Sequence, residues 1–483
     1  MLLLLVLFFP LLAAGLVYLS GNRLAGKVAV GLSLVEFGIT AFMLNKYMHN
    51  DFAGMSYFRE WITQPFINFS IAVDGIGILL VMLTNLLVPI IIFSNNDKEV
   101  ENSRAFYALV LLMQFALIGV FVAIDGFLYY IFWELALIPI YFIALLWGEG
   151  KDRDFRNTAV FKFFIYTLAG SLFMLIGFIM VYQFTGSFAA KDLYNFSLPN
   201  NIQYIVFLMF FLAFAIKIPI MPFHTWQPET YKEAPTAGSM LLSGIMLKMG
   251  IYSLIRWLLP VVPHGAAFWT PLIIVLCIIG VVYGSIIAIN QGHLKRLIAY
   301  SSLAHVGLIA AGVFSLSKAG LQGSVVQMVA HGVNVVALFF AGEIIYRRTG
   351  TYEIAQLGGI RNVAPKFATC FMIVVLASVA LPLTNGFIGE FLLLYGVYEY
   401  NTILSVFAGL TIILGAVYML RMYQRVMLGE TNTLTAGFTD LTTSELMVFV
   451  PIIIIIFVLG VYPKPMLDIA QPAIDYMLTY ALR

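Results

Sequence analysis

The chain has 483 residues, of which 61% are hydrophobic and only 10% charged. A soluble fold of this length cannot hide so much apolar side chain, so a lipid bilayer is the solvent that fits. The net charge of +2, from 26 basic and 24 acidic residues, gives no sign of nucleic acid, and no such partner is expected.

The first 20 residues, MLLLLVLFFPLLAAGLVYLS, lack a basic leading region. Their apolar run also exceeds the roughly 7–15 residues of a cleaved signal, so they are expected to stay as the first transmembrane helix. A bilayer core of about 30 Å needs about 20 apolar residues in a helix. Fourteen stretches meet that requirement, at 2–20, 27–46, 70–94, 104–123, 126–147, 158–185, 202–220, 235–259, 268–290, 297–316, 322–346, 366–397, 402–428 and 445–463. No strand is expected, and no linker is long enough to set apart a soluble domain. The closing stretch MLDIAQPAIDYMLTYALR is moderately helical in its apolar spacing and suits the membrane surface.

Orientation follows from the basic residues. One set of alternate loops carries 17 Lys and Arg, while the opposite side, with both termini, carries 7. The positive-inside rule then puts both termini outside, periplasmic in a bacterial inner membrane.

Two spans contain helix breakers beside a charge. Span seven runs into LAFAIKIPIMPFHTW, where Pro219 and Pro222 follow Lys217, and span twelve carries SVALPLTNGFIGEF, where Pro382, Asn385 and Gly386 precede Glu390. Proline removes a backbone donor and clashes with the preceding turn, so each helix should kink or open. In a bilayer such openings survive where protein or a hydrated cavity satisfies the freed groups. Two breaks in corresponding places fit an inverted-repeat transporter. Ordinary packing kinks are the alternative, and they leave the adjacent charges unexplained.

Four charges lie within apolar runs: Glu134 in YIFWELALIPIYF, Lys217 in FAIKIP, Lys248 in SGIMLKMGIYS and Glu390 in FIGEFLLL. Each costs about 2.5–3.5 kcal/mol at mid-bilayer, and together they cost on the order of 10–14 kcal/mol. That burden points to function before packing. His305 and His331 join the line, and histidine passes protons near neutral pH. A buried lysine beside a movable carboxylate can switch between holding and releasing a proton. Glu36 and Glu343 are weaker candidates, the latter near the basic side with Arg347 and Arg348. Structural ion pairs and hydrogen-bonded core histidines are the bland alternatives.

Cys277 and Cys370 each sit in an apolar run, without metal-ligand spacing. No redox centre, cofactor site or metal site is expected in this chain. There is no P-loop, so ATP does not drive it directly.

The segment KIPIMPFHTWQPETYKEAPTAGSMLLSGIMLKMGIY, with VDGIGILLVMLTN, FWELALIPIYF and LKRLIAYSSLAHVG, resembles the antiporter-like proton-translocating membrane subunits. These occur in respiratory complex I and in multi-subunit Na⁺/H⁺ antiporters. LPLTNGFIGEFLLLYG is similar to the M-type branch of bacterial NADH:quinone oxidoreductase, since paralogues and antiporters usually carry lysine at the Glu390 site. The chain departs from the family pattern at Leu383, where glycine is more usual after the proline, and in the QPETYKEAP loop.

The resemblance implies an all-α polytopic membrane protein of about 14 helices, with discontinuous spans seven and twelve and inverted five-helix repeats at spans 4–8 and 9–13. It implies one integral membrane domain over 1–483: N-terminal helices at 1–95, repeats at 104–259 and 268–428, and a C-terminal helix and tail at 445–483. Glu134 and Lys217 then resemble a coupled pair and Lys248 the central lysine. Glu390 resembles the terminal carboxylate, with His305 and His331 as relay or water-organising groups. NADH, FMN, Fe–S clusters and quinone are expected in partner subunits. The expected partners are the other membrane-arm subunits, including antiporter-like paralogues on either side, and lipids. The expected activity is proton translocation driven by NADH:quinone electron transfer. The alternatives are a subunit of an Na⁺/H⁺ antiporter or of a hydrogenase- or ferredoxin-linked complex, or a structural subunit.

Overall fold

Long apolar runs must close their own backbone hydrogen bonds in lipid, and here they do so as helices. The computed structural model describes residues 1–95, 98–150 and 152–483; Lys151, counted above on the basic side, lies outside them. Among the described residues, 13 helices are long and apolar enough to cross a bilayer by length and composition. The remaining expected span, 366–397, is divided between two shorter helices, Pro365–Ser378 and Asn385–Tyr400.

The expectation of no strands is overturned. Strand β1, Ser56–Ile62, pairs antiparallel with strand β2, Ile67–Ala72, in a register that sets Ser56 opposite Ala72 and Tyr57 opposite Ile71. This segment, SYFREWITQPFINFSIA, is rich in aromatic and β-branched residues and is interrupted by Pro65, a composition that favours strands over a helix. Span three consequently starts at Gly75, not at residue 70, with the Asp74 carboxylate capping the helix through Gly77 N–H at 2.8 Å.

The chain divides into two compact units. The first comprises Met1–Ile218, Ile245–Ile273 and Met466–Arg483. Its interior is built on Gly75–Phe93 and Ser103–Val122, whose side chains are mostly buried, while Leu2–Leu19 and Asn22–Met48 leave broad apolar faces open. The C-terminal helix Lys464–Ala481 is more strongly amphipathic than its sequence suggested. It buries Met466, Ile469, Ala470, Ala473, Ile474 and Met477 along one face. It approaches the start of span three so closely that a Cβ on Gly75 would sit 1.8 Å from the Ile469 carbonyl oxygen.

The second unit comprises Pro219–Gly244 and Ile274–Pro465. Its centre is the pair Leu294–Phe314 and Lys318–Thr349, which are almost wholly enclosed. The half-helix Asn385–Tyr400 lies against Lys318–Thr349, with a Cβ on Gly389 falling 2.2 Å from Gln327 Oε1. That close approach fixes where Glu390, the next residue, is presented.

Both breaks are present. Helix Asn200–Lys217 ends at the lysine, and irregular chain leads to the short helix Gln227–Glu233. Helix Pro365–Ser378 ends before the turn at 379–384, and Asn385–Tyr400 resumes beyond it. Within that turn Ala380 and Leu383 have φ of 55° and 74°, the left-handed region that disfavours a β-carbon. Leu383 is the position where the sequence departs from the glycine of the related pattern.

Candidate functional site

Each unit carries its own set of membrane-embedded ionisable side chains. In the first unit, Lys217 occupies the last position of its helix and is 2% exposed. Its ammonium has no hydrogen-bond acceptor among the described residues, and it lies over the Trp133 ring at 5.2 Å from the centroid. Such a cation–π contact is worth about 2 kcal/mol when desolvated. Glu134, adjacent in sequence to that tryptophan, acts electrostatically on Lys217. Glu134 is only partly buried, less so than the other three charges, with Ser171 close to its side chain. Its Oε1 is enclosed without a partner.

Lys248, 1% exposed, belongs to the same unit. It sits in the α-helical stretch Leu247–Ser253 between two π-helical ones, Leu242–Met246 and Leu254–Leu258. π-Helical turns recur at functional sites because they shift carbonyls and side chains out of the regular ladder. The sequence carries no signal of them beyond Gly244 and Gly250 around the lysine. One turn further on, Tyr252 hydroxyl accepts from Arg256 Nε at 3.1 Å, and Arg256 pairs with Asp74.

In the second unit, spans ten, eleven and twelve bring His305, His331 and Glu390 together. His305 Nδ1 lies 3.0 Å from Glu390 Oε1 but off the hydrogen-bonding direction, so the contact is a close approach and not an aligned bond. The imidazole rings of His305 and His331 are 5.9 Å apart between centroids. A small cavity of about 20 Å³ lies beside them, lined by Ser301, Ser302, Gln327, Asn334 and Ser378 as well as both histidines. That volume and that lining suit an ordered water. Gln327 Nε2 reaches Glu390 Oε1 at 3.5 Å, while Asn334 Nδ2 donates to the Ala377 carbonyl at 3.1 Å.

Sequence reasoning missed several of these neighbours. Trp133 and Ser171 in the first unit, and Gln327, Asn334 and Ser301 in the second, are polar or aromatic residues in apolar runs, a pattern that ordinary packing also produces. The two weaker candidates stand apart from both clusters. Glu36 is buried among the N-terminal helices and accepts from Asn85 Nδ2 at 3.1 Å; Gln114 Nε2 in turn donates to Asn85 Oδ1 at 2.7 Å. Glu343 pairs with Arg347 Nε at 3.0 Å and accepts from Thr236 and from the Tyr352 hydroxyl. Arg348, expected beside it, pairs instead with Glu445 at 2.6 Å.

Comparison with known proteins agrees with this architecture. The family described as NADH:quinone oxidoreductase/Mrp antiporter, TM, matches residues 123–415. NADH-quinone oxidoreductase subunit M of Rickettsia typhi is 37% identical over 487 residues, covering 98% of this chain and 97% of its own length. The subunit M of Rhodobacter capsulatus is 37% identical over 496 residues, covering 98% and 95%. A chain in the structure of respiratory complex I from Thermus thermophilus with bound NADH superposes with a TM-score of 0.91 at 29% identity, each chain covered over 100%. The chain is therefore a polytopic α-helical membrane protein belonging to the NADH:quinone oxidoreductase/Mrp antiporter family.

Proposed function

We propose that this chain is a proton-translocating membrane-arm subunit of a respiratory complex I, in which NADH:quinone electron transfer elsewhere in the complex drives protons through it. The observation that carries this reading is the placement of protonatable groups inside each unit: Glu134 acting on Lys217 in one, and Glu390 held 3.0 Å from His305 beside a polar cavity in the other. Intramembrane ionisable residues that face one another are costly to insert and mark ion or proton pathways.

In the first unit the positive charge of Lys217 is held by Trp133 and by the field of Glu134. Neutralising or displacing Glu134 weakens that hold, so Lys217 releases its proton; restoring the carboxylate recharges it. Lys248, in its irregular helix, is the central lysine. In the second unit a proton on His305 is stabilised by Glu390, and His331 exchanges with it through water. Glu390 is the terminal carboxylate. The corresponding positions of the two helix breaks support a pair of inverted five-helix repeats within one membrane domain.

Redox groups belong, on this reading, to partner subunits, and antiporter-like paralogues flank the chain in the inner membrane with both termini periplasmic. The experiment is a native gel of mildly solubilised membranes, stained for NADH dehydrogenase activity and probed for this chain. Co-migration with a large active band is expected; migration apart from that activity would overturn the assignment. The family description, which joins the oxidoreductases to the Mrp antiporters, favours one second reading, an antiporter subunit. Sodium-dependent proton exchange in vesicles without NADH would support it.

A further inference from the structure

Span two, Asn22–Met48, carries near its middle a polar cluster that lies outside both sets of charges described above. Glu36 is 1% exposed, and Thr40, Asn85 and Gln114 have no exposed surface. Asn85 Nδ2, on span three, donates to Glu36 Oε1 at 3.1 Å and to Thr40 Oγ1 at 2.6 Å; Gln114 Nε2, on span four, donates to Asn85 Oδ1 at 2.7 Å. Two oxygens, Glu36 Oε2 and Gln114 Oε1, are enclosed without a donor among the described residues. The helices packed against span two bring no counter-charge to this depth. Gly75–Phe93 holds no ionisable side chain, and Leu2–Leu19 holds only Tyr18. Ser103–Val122 holds only Arg104 and Tyr107, near its start, and Arg104 lies over the Tyr18 ring at 5.1 Å from the centroid, at the same end of the bundle. Asp74, ahead of span three, pairs with Arg256. Within span two itself the nearest cations on either side, Lys27 and Lys46, are roughly 13–15 Å from Glu36 along the axis, at about 1.5 Å per residue.

An ionised carboxylate only accepts hydrogen bonds, so it brings nothing to a cluster that already has two oxygens without a donor. A carboxylic acid brings an O–H. Out of water and without a partner charge, a carboxyl group also keeps its proton in preference to an uncompensated charge. We propose that Glu36, with Thr40, Asn85 and Gln114, is a proton-holding site of the N-terminal helices, a carboxylic acid that clamps span two to spans three and four and hands no proton on. Its bonded members touch directly at 2.6–3.1 Å, which suits a proton and leaves no room for a metal ion between them. With no titratable neighbour at its depth, the proton stays where it is, unlike one on Lys217 or His305. Hydrogen bonds between side chains hold helices together in lipid, where apolar faces gain little from meeting one another. Span two turns Leu34, Val35 and Phe42 outward, so its hold on the bundle falls to the inward face that carries Glu36 and Thr40. Losing the proton would leave a buried charge there and loosen the clamp.

This inference goes beyond the proton-translocating reading and does not depend on it. The test compares the assembled wild-type complex with Glu36→Gln, which keeps the shape and the hydrogen-bonding roles of the acid but cannot lose a proton. Infrared spectra are recorded in H₂O and D₂O, in sodium and in choline buffers, and Tm is followed as pH is raised. The expected result is a carbonyl band of a protonated carboxyl at neutral pH that shifts in D₂O, is indifferent to sodium, and is missing from Glu36→Gln. Raising the pH should remove that band and lower the wild-type Tm more than that of the variant. NADH-driven proton uptake in sealed vesicles should be the same in both. A spectrum unchanged by Glu36→Gln would overturn the proposal, because Glu36 would then be ionised. Loss of the band on adding sodium would make the cluster a metal-ion site instead. A several-fold loss of uptake in assembled Glu36→Gln would show that the residue passes protons, against the holding role. Should Glu36→Gln fail to assemble, Asn85→Leu removes the donor to Glu36 Oε1 and should move the same band to higher frequency; an unmoved band overturns the proposal equally.

Discussion

The contact between His305 and Glu390 makes a quantitative prediction. Opposite unit charges 3.0 Å apart would interact by about 5–6 kcal/mol at an effective dielectric of about 20, which is a ceiling. The pair is off the hydrogen-bonding axis and borders a polar cavity, so the working energy falls toward the about 1–3 kcal/mol measured between directly coupled residues. Glu390→Gln and His305→Gln preserve size and remove the charges. Each alone should slow NADH-driven proton uptake in vesicles, normalised to uncoupled electron transfer. The double variant should be no slower than the worse single one, a departure from additivity of about 5- to 150-fold. Additive losses within about 0.5 kcal/mol would show that the two residues act independently and would refute the pairing.

Three further outcomes follow from the structure. Leu383→Gly removes a β-carbon from a backbone held at φ 74° and should raise the thermal stability of the solubilised complex by relieving about 1–2 kcal/mol of strain, read as an upward shift in Tm; an unchanged or lower Tm would contradict the strained turn. Trp133→Leu removes the aromatic face over Lys217 and should cost about tenfold in proton uptake, whereas Trp133→Phe, which keeps a weaker π face, should cost less; equal losses would argue for packing alone. His293, at the start of span ten, has its pKa pushed down to about 4 by burial and then by Lys232, Lys295 and Arg296. Because the unfolded chain binds the proton near pH 6.5, the stability it contributes is complete above that value and is lost as pH falls toward 4. His293→Gln should therefore flatten the decline in Tm between pH 6.5 and 4, and an unchanged decline would refute this assignment.

The charged members of the candidate site were legible because each announces itself. Glu134, Lys217, Lys248 and Glu390 interrupt apolar runs, where a charge is too costly to be incidental. The helix breaks were legible for a similar reason, since Pro219 and Pro382 stand where a backbone donor is needed. Other features depend on distances that spacing along the chain does not determine. Nothing in SSLAHVG or FIGEFLL sets His305 opposite Glu390; that follows from how three helices meet around Gln327. The π-helical turns around Lys248 leave no local signature beyond Gly244 and Gly250. The hairpin at 56–72 was overlooked because its strands are short and merge into the apolar run of span three. The C-terminal helix was only moderately patterned in sequence, yet Ile469 and Ala470 pack tightly enough at Gly75 to leave no room for a side chain.

The most direct measurement is the number of protons moved per NADH oxidised by the purified complex in sealed vesicles, compared between wild type and Lys217→Ala. Assembly is checked beforehand on a native gel. A relay through Lys217 predicts that the ratio falls and that coupled turnover falls with it, while the assembled complex persists. An unchanged ratio in a fully assembled Lys217→Ala complex would contradict it, and would leave the buried lysine as a structural charge.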